Sequence, residues 1–172
     1  MKNIIIFICL VIAISCTAQT KDTKVNGAKQ EINQVLEQWH KAAADASYDT
    51  YFELMTEDAI FIGTDATENW DLISFKAFSK PYFDKGKAWS FSTLERNIFT
   101  QNTTNLAWFD ELLDTQMGIC RGSGVLEKTK EGWKVKHYVL SIAIPNENVK
   151  EITALKKTFD NDLIKKLRSK KN

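Results

Sequence analysis

The chain has 172 residues, of which 44% are hydrophobic and 26% charged, and its formal net charge is +1. This composition is typical of a globular protein of one domain, and it excludes a collagen-like, low-complexity or strongly charged chain. So small a net charge creates no general field that would attract nucleic acid or an anionic membrane, so we expect no nucleic-acid partner.

Residues 1–18 have the pattern of a secretory signal peptide. Lys2 gives a positive start, residues 4–14 form an unbroken apolar run, and small residues follow. The run is too short for a comfortable membrane span but has the length of a signal peptide's apolar region. We therefore expect an exported protein, either periplasmic or secreted. Removal of the signal takes away Lys2, and the remaining basic residues balance the 22 acidic ones.

Two processing sites fit this segment. Cleavage after Ala18 would leave Gln19 as the first residue. The run from Ala13 to Cys16 also resembles a bacterial lipobox, in which Cys16 is lipidated and becomes the first residue, although Ala13 stands where Leu is typical. We expect membrane attachment only in the second case. In either case Cys120 is the only thiol of the folded part, which predicts no internal disulfide.

Polar residues 19–27 suggest a flexible leader, and a helical pattern begins at Ala28. Apolar residues then recur at spacings of three and four along one helix face, as far as Ala46. Ser47 or Asp49 can cap a second short helix, and residues 59–62 form a short apolar strand. Residues 63–71 are a predicted loop. The third helix is predicted to have Asp71 as its N-cap, to be distorted or restarted at Pro81 and to end at Gly86.

After Gly86 the spacing of apolar residues becomes that of strands. Four β-rich runs follow in series, which favours an antiparallel meander: residues 88–100, 105–117, 120–128 and 133–144. Residues 129–132 are the clearest hairpin turn. Residues 147–172 form an amphipathic helix with a basic tail, interpreted either as a docked helix or as a surface for acidic lipid or a partner helix. Helices followed by an antiparallel sheet predict an α+β domain.

Four segments carry a family resemblance: GTDATENW, AWFDELLDT, RGSGVLEK and GWKVKHYVLS. With this order of elements, residues 28–146 resemble the SnoaL-like branch of the nuclear transport factor 2-like superfamily. The resemblance implies a cone-shaped fold in which a strongly curved sheet wraps the first helix around an apolar pocket. It also implies frequent homodimers through the outer sheet face. Catalytic groups differ among its subfamilies, so it gives no numbered residue here a role.

The predicted hairpin sets Lys128 opposite Trp133, and this register places Gly124 opposite His137 and Gly122 opposite Val139. We expect that face to be interior because the opposite face carries more charge. Glycines at these two positions indicate either a sharp bend of the sheet or space for a ligand. His137 would then be an inward imidazole, either a general base or a hydrogen-bonded core residue.

The stretch AWFDEL places two adjacent acids in one strand, and their side chains must point to opposite faces. Glu111 shares its phase with the apolar residues, so we expect Glu111 inward and Asp110 outward. A buried carboxylate needs a partner, and we expect His137 to supply it. The pair is either a proton-transfer site or a structural hydrogen bond. His40 is expected on the surface of the first helix.

Asp65, Glu68 and Trp70 are predicted either to border the mouth of the pocket or to cap the third helix. Deeper ligand-facing positions are also expected: Tyr51, Phe109, Gly122 and Gly124. No His or Cys spacing suggests a metal site, no cofactor is indicated, and Ser123 and Cys120 lack the setting of a nucleophile.

Three functions remain open at this stage. The first is binding of a small apolar or aromatic molecule without chemistry. The second is a cofactor-free lyase, isomerase or hydrolase that uses Glu111 and His137, with Asp65 or Glu68 near the rim. The third is a dimeric interaction module whose cavity is filled by its own side chains. A pocket lined by Glu111 and His137 would favour the first two, and a plugged one the third.

Overall fold

A computed structural model describes residues 25–101 and 104–170. The predicted signal peptide (residues 1–18), both processing sites and residues 19–24 of the leader lie outside the described residues. None of the described helices has the length and apolar character that a membrane crossing requires.

Four α-helices are described, and each follows the apolar spacing of the sequence. Asp71 caps the third helix, since its Oδ1 accepts the backbone N–H of Ser74 at 2.7 Å. Gly86 ends that helix in the left-handed region with φ of 71°. The helices are α1 (25–44), α2 (Tyr48–Glu53), α3 (Leu72–Asp84) and α4 (Val149–Ser169).

The described residues form a six-stranded sheet in the order β2-β1-β6-β5-β4-β3. Strands β3 to β6 make the expected antiparallel meander. Strand β1 pairs in parallel with β6, and this pairing joins the N-terminal strands to the meander in one sheet. The strands are β1 (Met55–Ile62), β2 (Asn69–Asp71), β3 (Ser92–Thr100), β4 (Leu106–Thr115), β5 (Gly118–Thr129) and β6 (Gly132–Ile142).

The sheet curves around α1, because that helix contacts five of the six strands. Trp39 packs its indole edge-on to Tyr138 of β6 at 4.9 Å between ring centroids, and also contacts Phe61 of β1. Other α1 side chains bind residues of β3, β4 and β5. The core within the curve is rich in aromatic rings. The α+β class and the cone-type architecture are therefore confirmed.

Two local differences from the sequence prediction concern the N-terminal half. Strand β1 begins at Met55 rather than at residue 59, and the predicted loop contains a short strand, β2, which pairs with β1. Helix α3 runs through Pro81 to Asp84 and so does not restart there. Its last turn is held by Phe83, which is buried against Tyr48 and Trp89.

A β-bulge in β6 changes which residues face the interior. The predicted register holds from Lys128 opposite Trp133 to Leu126 opposite Val135, and then shifts by one residue, so that Gly124 pairs with Tyr138. The expectation of an inward His137 is therefore wrong. The bulge turns Tyr138 inward and leaves His137 on the outer face.

The chain divides into two compact units, one ending at Ile142 and one beginning at Ala143. The second unit contains a 3₁₀ turn (Asn146–Asn148) and α4. None of the described residues of α4 is buried. Leu155 and Phe159 are among its exposed apolar side chains.

Candidate functional site

Glu111 lies inward on β4, as expected, and only 1% of the residue is exposed. Its Oε1 accepts hydrogen bonds from His40 Nε2 at 2.8 Å and from the Tyr138 hydroxyl at 3.0 Å. Its Oε2 accepts a hydrogen bond from Arg96 Nε at 2.8 Å and forms an ion-pair contact with Arg96 Nη2, also at 2.8 Å. The carboxylate thus receives three hydrogen bonds and one further charged contact, from residues of three elements.

Arg96 is also held by several protein groups, and its side chain is only 4% exposed. Besides its contacts with Glu111, it donates from Nη2 to Thr93 Oγ1 at 2.8 Å. Nη1 donates to Asn33 Oδ1 at 2.8 Å and to Glu37 Oε1 at 2.6 Å, both on α1. All three nitrogens of the guanidinium therefore donate hydrogen bonds within the protein.

Two pKa shifts follow from this network. Burial acts to raise the pKa of Glu111, but the hydrogen bond and charge of His40 and those of Arg96 outweigh it and lower the pKa below its ordinary value of 4.5. Burial, with the adjacent Glu111 charge, raises the pKa of Tyr138 well above its ordinary value. Glu111 is therefore ionised at neutral pH, so His40 and Tyr138 act as the donors.

The residues around Glu111 leave no space for a substrate. A Cβ placed on Gly122 would lie 2.3 Å from the Tyr138 hydroxyl and 2.9 Å from Glu111 Cγ. A Cβ on Gly124 would lie 2.4 Å from the His137 carbonyl oxygen and 2.8 Å from the Phe109 ring. The two glycines therefore accommodate the network and the bulge and leave no ligand space above them. An ionised, saturated and enclosed carboxylate is suited to joining the sheet to α1.

Two expectations about the histidines need correction. His137 shares the outer face with its sheet neighbours Ile60 and Val125, so it cannot reach Glu111. His40 is only 5% exposed rather than on the surface, and it is the histidine that binds Glu111. A helix wrapped by a sheet is buried over a wider arc than one lying on a flat surface, which explains the burial of His40.

The sequence contains a signal for His40 that the prediction missed. His40 follows Ile32 and Leu36 at intervals of four residues and so continues the buried line of α1. Arg96 and Tyr138 carry no comparable signal. The position of Arg96 opposite Glu111 depends on the β3–β4 register, and that of Tyr138 depends on the bulge.

A separate pocket of about 400 Å³ lies beyond this network, bordered by β1, α3, residues 88–91 and the β4–β5 turn. Of its 14 lining residues, seven carry aromatic rings, among them Trp70, Phe78 and Trp89. Trp70 stacks between Phe75 and Phe78, at 5.7 and 4.4 Å between centroids. Its size and apolar walls are those of a small-molecule site.

Glu68 is the one carboxylate among the residues that line the pocket. Its Oε2 accepts the Asp65 backbone N–H at 3.1 Å and lies 2.2 Å from where a Cβ of Gly63 would be. Its backbone N–H and C=O bond to Asp65 and Gly63. The absence of a side chain at Gly63 thus makes room for this carboxylate.

The other predicted ligand-facing residues are distributed differently. Glu68 and Trp70 line the pocket, whereas the Asp65 carboxylate bonds to Thr67 within the loop. Tyr51 is buried and stacked on Trp39 at 5.0 Å. Burial raises the pKa of Tyr51 well above its ordinary value. Phe109, Gly122 and Gly124 belong to the core around Tyr138 and not to the pocket lining.

A wider groove of about 640 Å³ lies between α1 and β3. Lys29, Asn33 and Arg96 line it, but all three nitrogens of the Arg96 guanidinium already donate hydrogen bonds to protein groups. Within residues 25–101 and 104–170, no group of three or more His, Cys, Asp and Glu side chains is arranged to hold a metal ion.

Comparison with known proteins gives a family and a fold. Residues 32–145 match the model of the SnoaL-like domain. An NTF2-like protein of unknown function from Pseudomonas putida is 16% identical, with a TM-score of 0.59, over 72% of this chain and 92% of that one. A search of curated proteins finds no match.

Two further solved structures share the fold. A candidate dehydratase of the NTF2-like family from Streptomyces avermitilis is 9% identical, with a TM-score of 0.59, over 67% of this chain and 96% of that one. The association domain of the kinase CaMKII from C. elegans is 20% identical, with a TM-score of 0.56, over 68% of this chain and 97% of that one. At these identities the likeness concerns the fold alone.

Proposed function

The chain belongs to the SnoaL-like family, within the NTF2-like superfamily, and we propose that it binds a small apolar or aromatic molecule in the aromatic pocket without using Glu111 as a catalyst. The observation that carries this proposal is the separation of the two sites. The polar network is saturated and enclosed, whereas the pocket offers about 400 Å³ between aromatic walls. Proton transfer requires a group within reach of the substrate.

Saturation-transfer NMR with a neutral aromatic probe, 2-naphthol, tests this proposal. Ala88 lines the pocket, so Ala88→Phe should fill it and abolish the transfer signal. Ala44→Phe adds the same ring at an exposed position of α1 and should leave the signal intact. Absence of signal with the unmodified protein, or equal signals in all three, would refute binding in this pocket.

Catalysis by a Glu–His pair is the less supported alternative. The candidate dehydratase shares the fold, but the pair found here is Glu111–His40, and neither residue lines the pocket. A lyase, isomerase or hydrolase would have to use the rim, where Glu68 is the available carboxylate. Turnover that survives Glu111→Gln in a folded protein would exclude the pair from any mechanism.

We further propose that the protein forms a homodimer through the outer sheet face. One row across this face is mostly apolar, and it includes Phe99 and Trp108, whose rings stack at 5.8 Å between centroids. They remain 43% and 47% exposed. Exposed rings of this kind are typical of interaction surfaces, and the fold is shared with an association domain. Sedimentation equilibrium should give twice the chain mass, and a monomer at all concentrations would exclude this dimer.

Export remains a proposal that rests on the sequence of residues 1–18. After expression in a Gram-negative host, mass spectrometry of the N-terminal peptide distinguishes simple cleavage of the signal peptide from lipidation. Cleavage after Ala18 gives a peptide beginning at Gln19, and lipidation gives a peptide whose Cys16 carries acyl chains. An uncleaved Met1 terminus would contradict both.

A further inference from the structure

We propose that the aromatic pocket selects an organic cation, namely a small amine or quaternary ammonium compound with an apolar body. This inference rests on the proposed binding function and specifies its ligand class. It starts from the charge of the lining. Of the described residues that line the pocket, one is a carboxylate and none is a lysine, arginine or histidine.

The aromatic rings supply the first half of the recognition. The seven rings include the exposed Phe78 and Tyr82, the half-buried Trp70 and Trp89, and the buried Phe61 and Phe75. The face of an aromatic ring is electron-rich and attracts a cation, most strongly for indole. Sites lined by aromatic rings suit quaternary ammonium groups, which cannot donate hydrogen bonds and have a weak hydration shell.

Glu68 supplies the second half. Three hydrogen bonds to Gly63 and Asp65 fix its backbone and its Oε2, so the carboxylate is preorganised at the wall. Within the described residues, Oε1 has no hydrogen-bond partner. A fixed carboxylate beside apolar walls attracts a cation more strongly than it would in open water, because the surroundings screen the charge less. The same carboxylate repels an anionic ligand.

Isothermal titration calorimetry with a matched pair of probes tests the ligand class. Benzyltrimethylammonium and neopentylbenzene have the same shape and differ only in the nitrogen and its charge. The full-length protein should bind the cation at least tenfold more tightly. Glu68→Gln should reduce this ratio about tenfold. Glu57→Gln, which removes an exposed carboxylate of β1 that does not line the pocket, should leave the ratio within twofold of the unmodified protein.

The outcomes separate the two proposals. Equal affinities, or tighter binding of neopentylbenzene, would overturn the cation class while supporting an apolar pocket. Failure of both probes and of 2-naphthol would overturn the binding function itself. A cation preference that Glu68→Gln leaves unchanged would show that another group provides it and would refute the recognition argued above.

Discussion

At the scale of single residues, Glu111 shows how a carboxylate can be buried in a sheet without a catalytic function. Removing a charge from water is costly, and attraction between partners offsets that cost only where hydrogen bonds satisfy all the groups involved. Here Arg96, His40 and Tyr138 each supply one hydrogen bond, and Arg96 Nη2 adds an ion-pair contact. The network has little net stability to add, but loss of one member leaves the others buried and unpaired.

Glu111→Gln should therefore destabilise the protein by about 3–5 kcal/mol. The amide has nearly the same shape, but it is neutral and brings two N–H donors against groups that are themselves donors. Urea unfolding followed by circular dichroism measures the loss. Asp110→Asn is the matched control on the neighbouring residue, whose carboxylate bonds to the exposed Asn97, and it should cost less than about 1 kcal/mol. Equal losses would contradict a special role for Glu111.

The stability difference between the unmodified protein and Glu111→Gln should also depend on pH. Folding lowers the pKa of Glu111 below 4.5, so its contribution is complete above pH 4.5 and is lost as the pH falls through the lower, folded value. Urea midpoints of both proteins between pH 7 and pH 3 should therefore converge at the acid end. Other carboxylates with lowered pKa values, such as Asp58 and Asp71, are present in both proteins and cancel in the difference. A constant difference would contradict the shift.

At the scale of elements, the sequence correctly predicted which residues of β5 and β6 face each other as far as the bulge in β6, and not beyond it. Alternation and the hairpin turn correctly predicted the register from Lys128 to Leu126 and the inward phase of β4, because both depend on neighbours in the chain. Beyond Val135 one extra residue moves every later side chain to the other face. Pairing of β6 with β1 on its other side is a long-range constraint that the local pattern does not contain.

The same limit applies to the candidate site. The inward direction of Glu111 was predictable from its phase, and the rim positions of Glu68 and Trp70 from their place after a strand. The partners of Glu111 were not predictable from the sequence, because Arg96 lies 15 residues away and His40 lies 71 residues away in the chain. Only packing of α1 inside the curved sheet brings them together.

Gly122→Ala should destabilise the protein by about 1–3 kcal/mol, because its methyl group would overlap the Tyr138 hydroxyl and crowd Glu111. Thermal unfolding measures the change. The control is Gly27→Ala, at a helical position of α1 where an added Cβ meets no atom within 4 Å. That substitution should be neutral or stabilising by up to about 1 kcal/mol. Similar effects at both positions would indicate that the space above Gly122 is open.

At the scale of the whole molecule, the two faces of the sheet differ: the inner face packs the core, and the outer face presents exposed apolar side chains. The inner face is filled by rings and by the Glu111 network, so the fold uses its enclosed volume mainly for packing, and the aromatic pocket lies at the periphery of that packed interior. The outer face carries a mostly apolar row from β3 to β1, of which Phe99 and Trp108 are the exposed members: Phe99, Trp108, Val125, His137 and Ile60. A row of this kind is suited to pairing with its own copy about a two-fold axis, where each residue meets the same surface again.

Trp108→Arg tests this pairing directly. Loss of a central tryptophan from an interface costs about 2 kcal/mol or more, and two cationic side chains facing each other across a two-fold axis add repulsion. The expected result is a shift from dimer to monomer in sedimentation velocity at micromolar concentration, with an unchanged circular dichroism spectrum because Trp108 is half-exposed. Ile73→Arg adds the same charge on α3, where the residue is 81% exposed, and should leave the dimer intact. A Trp108→Arg protein that still sediments as a dimer would place the interface on another surface.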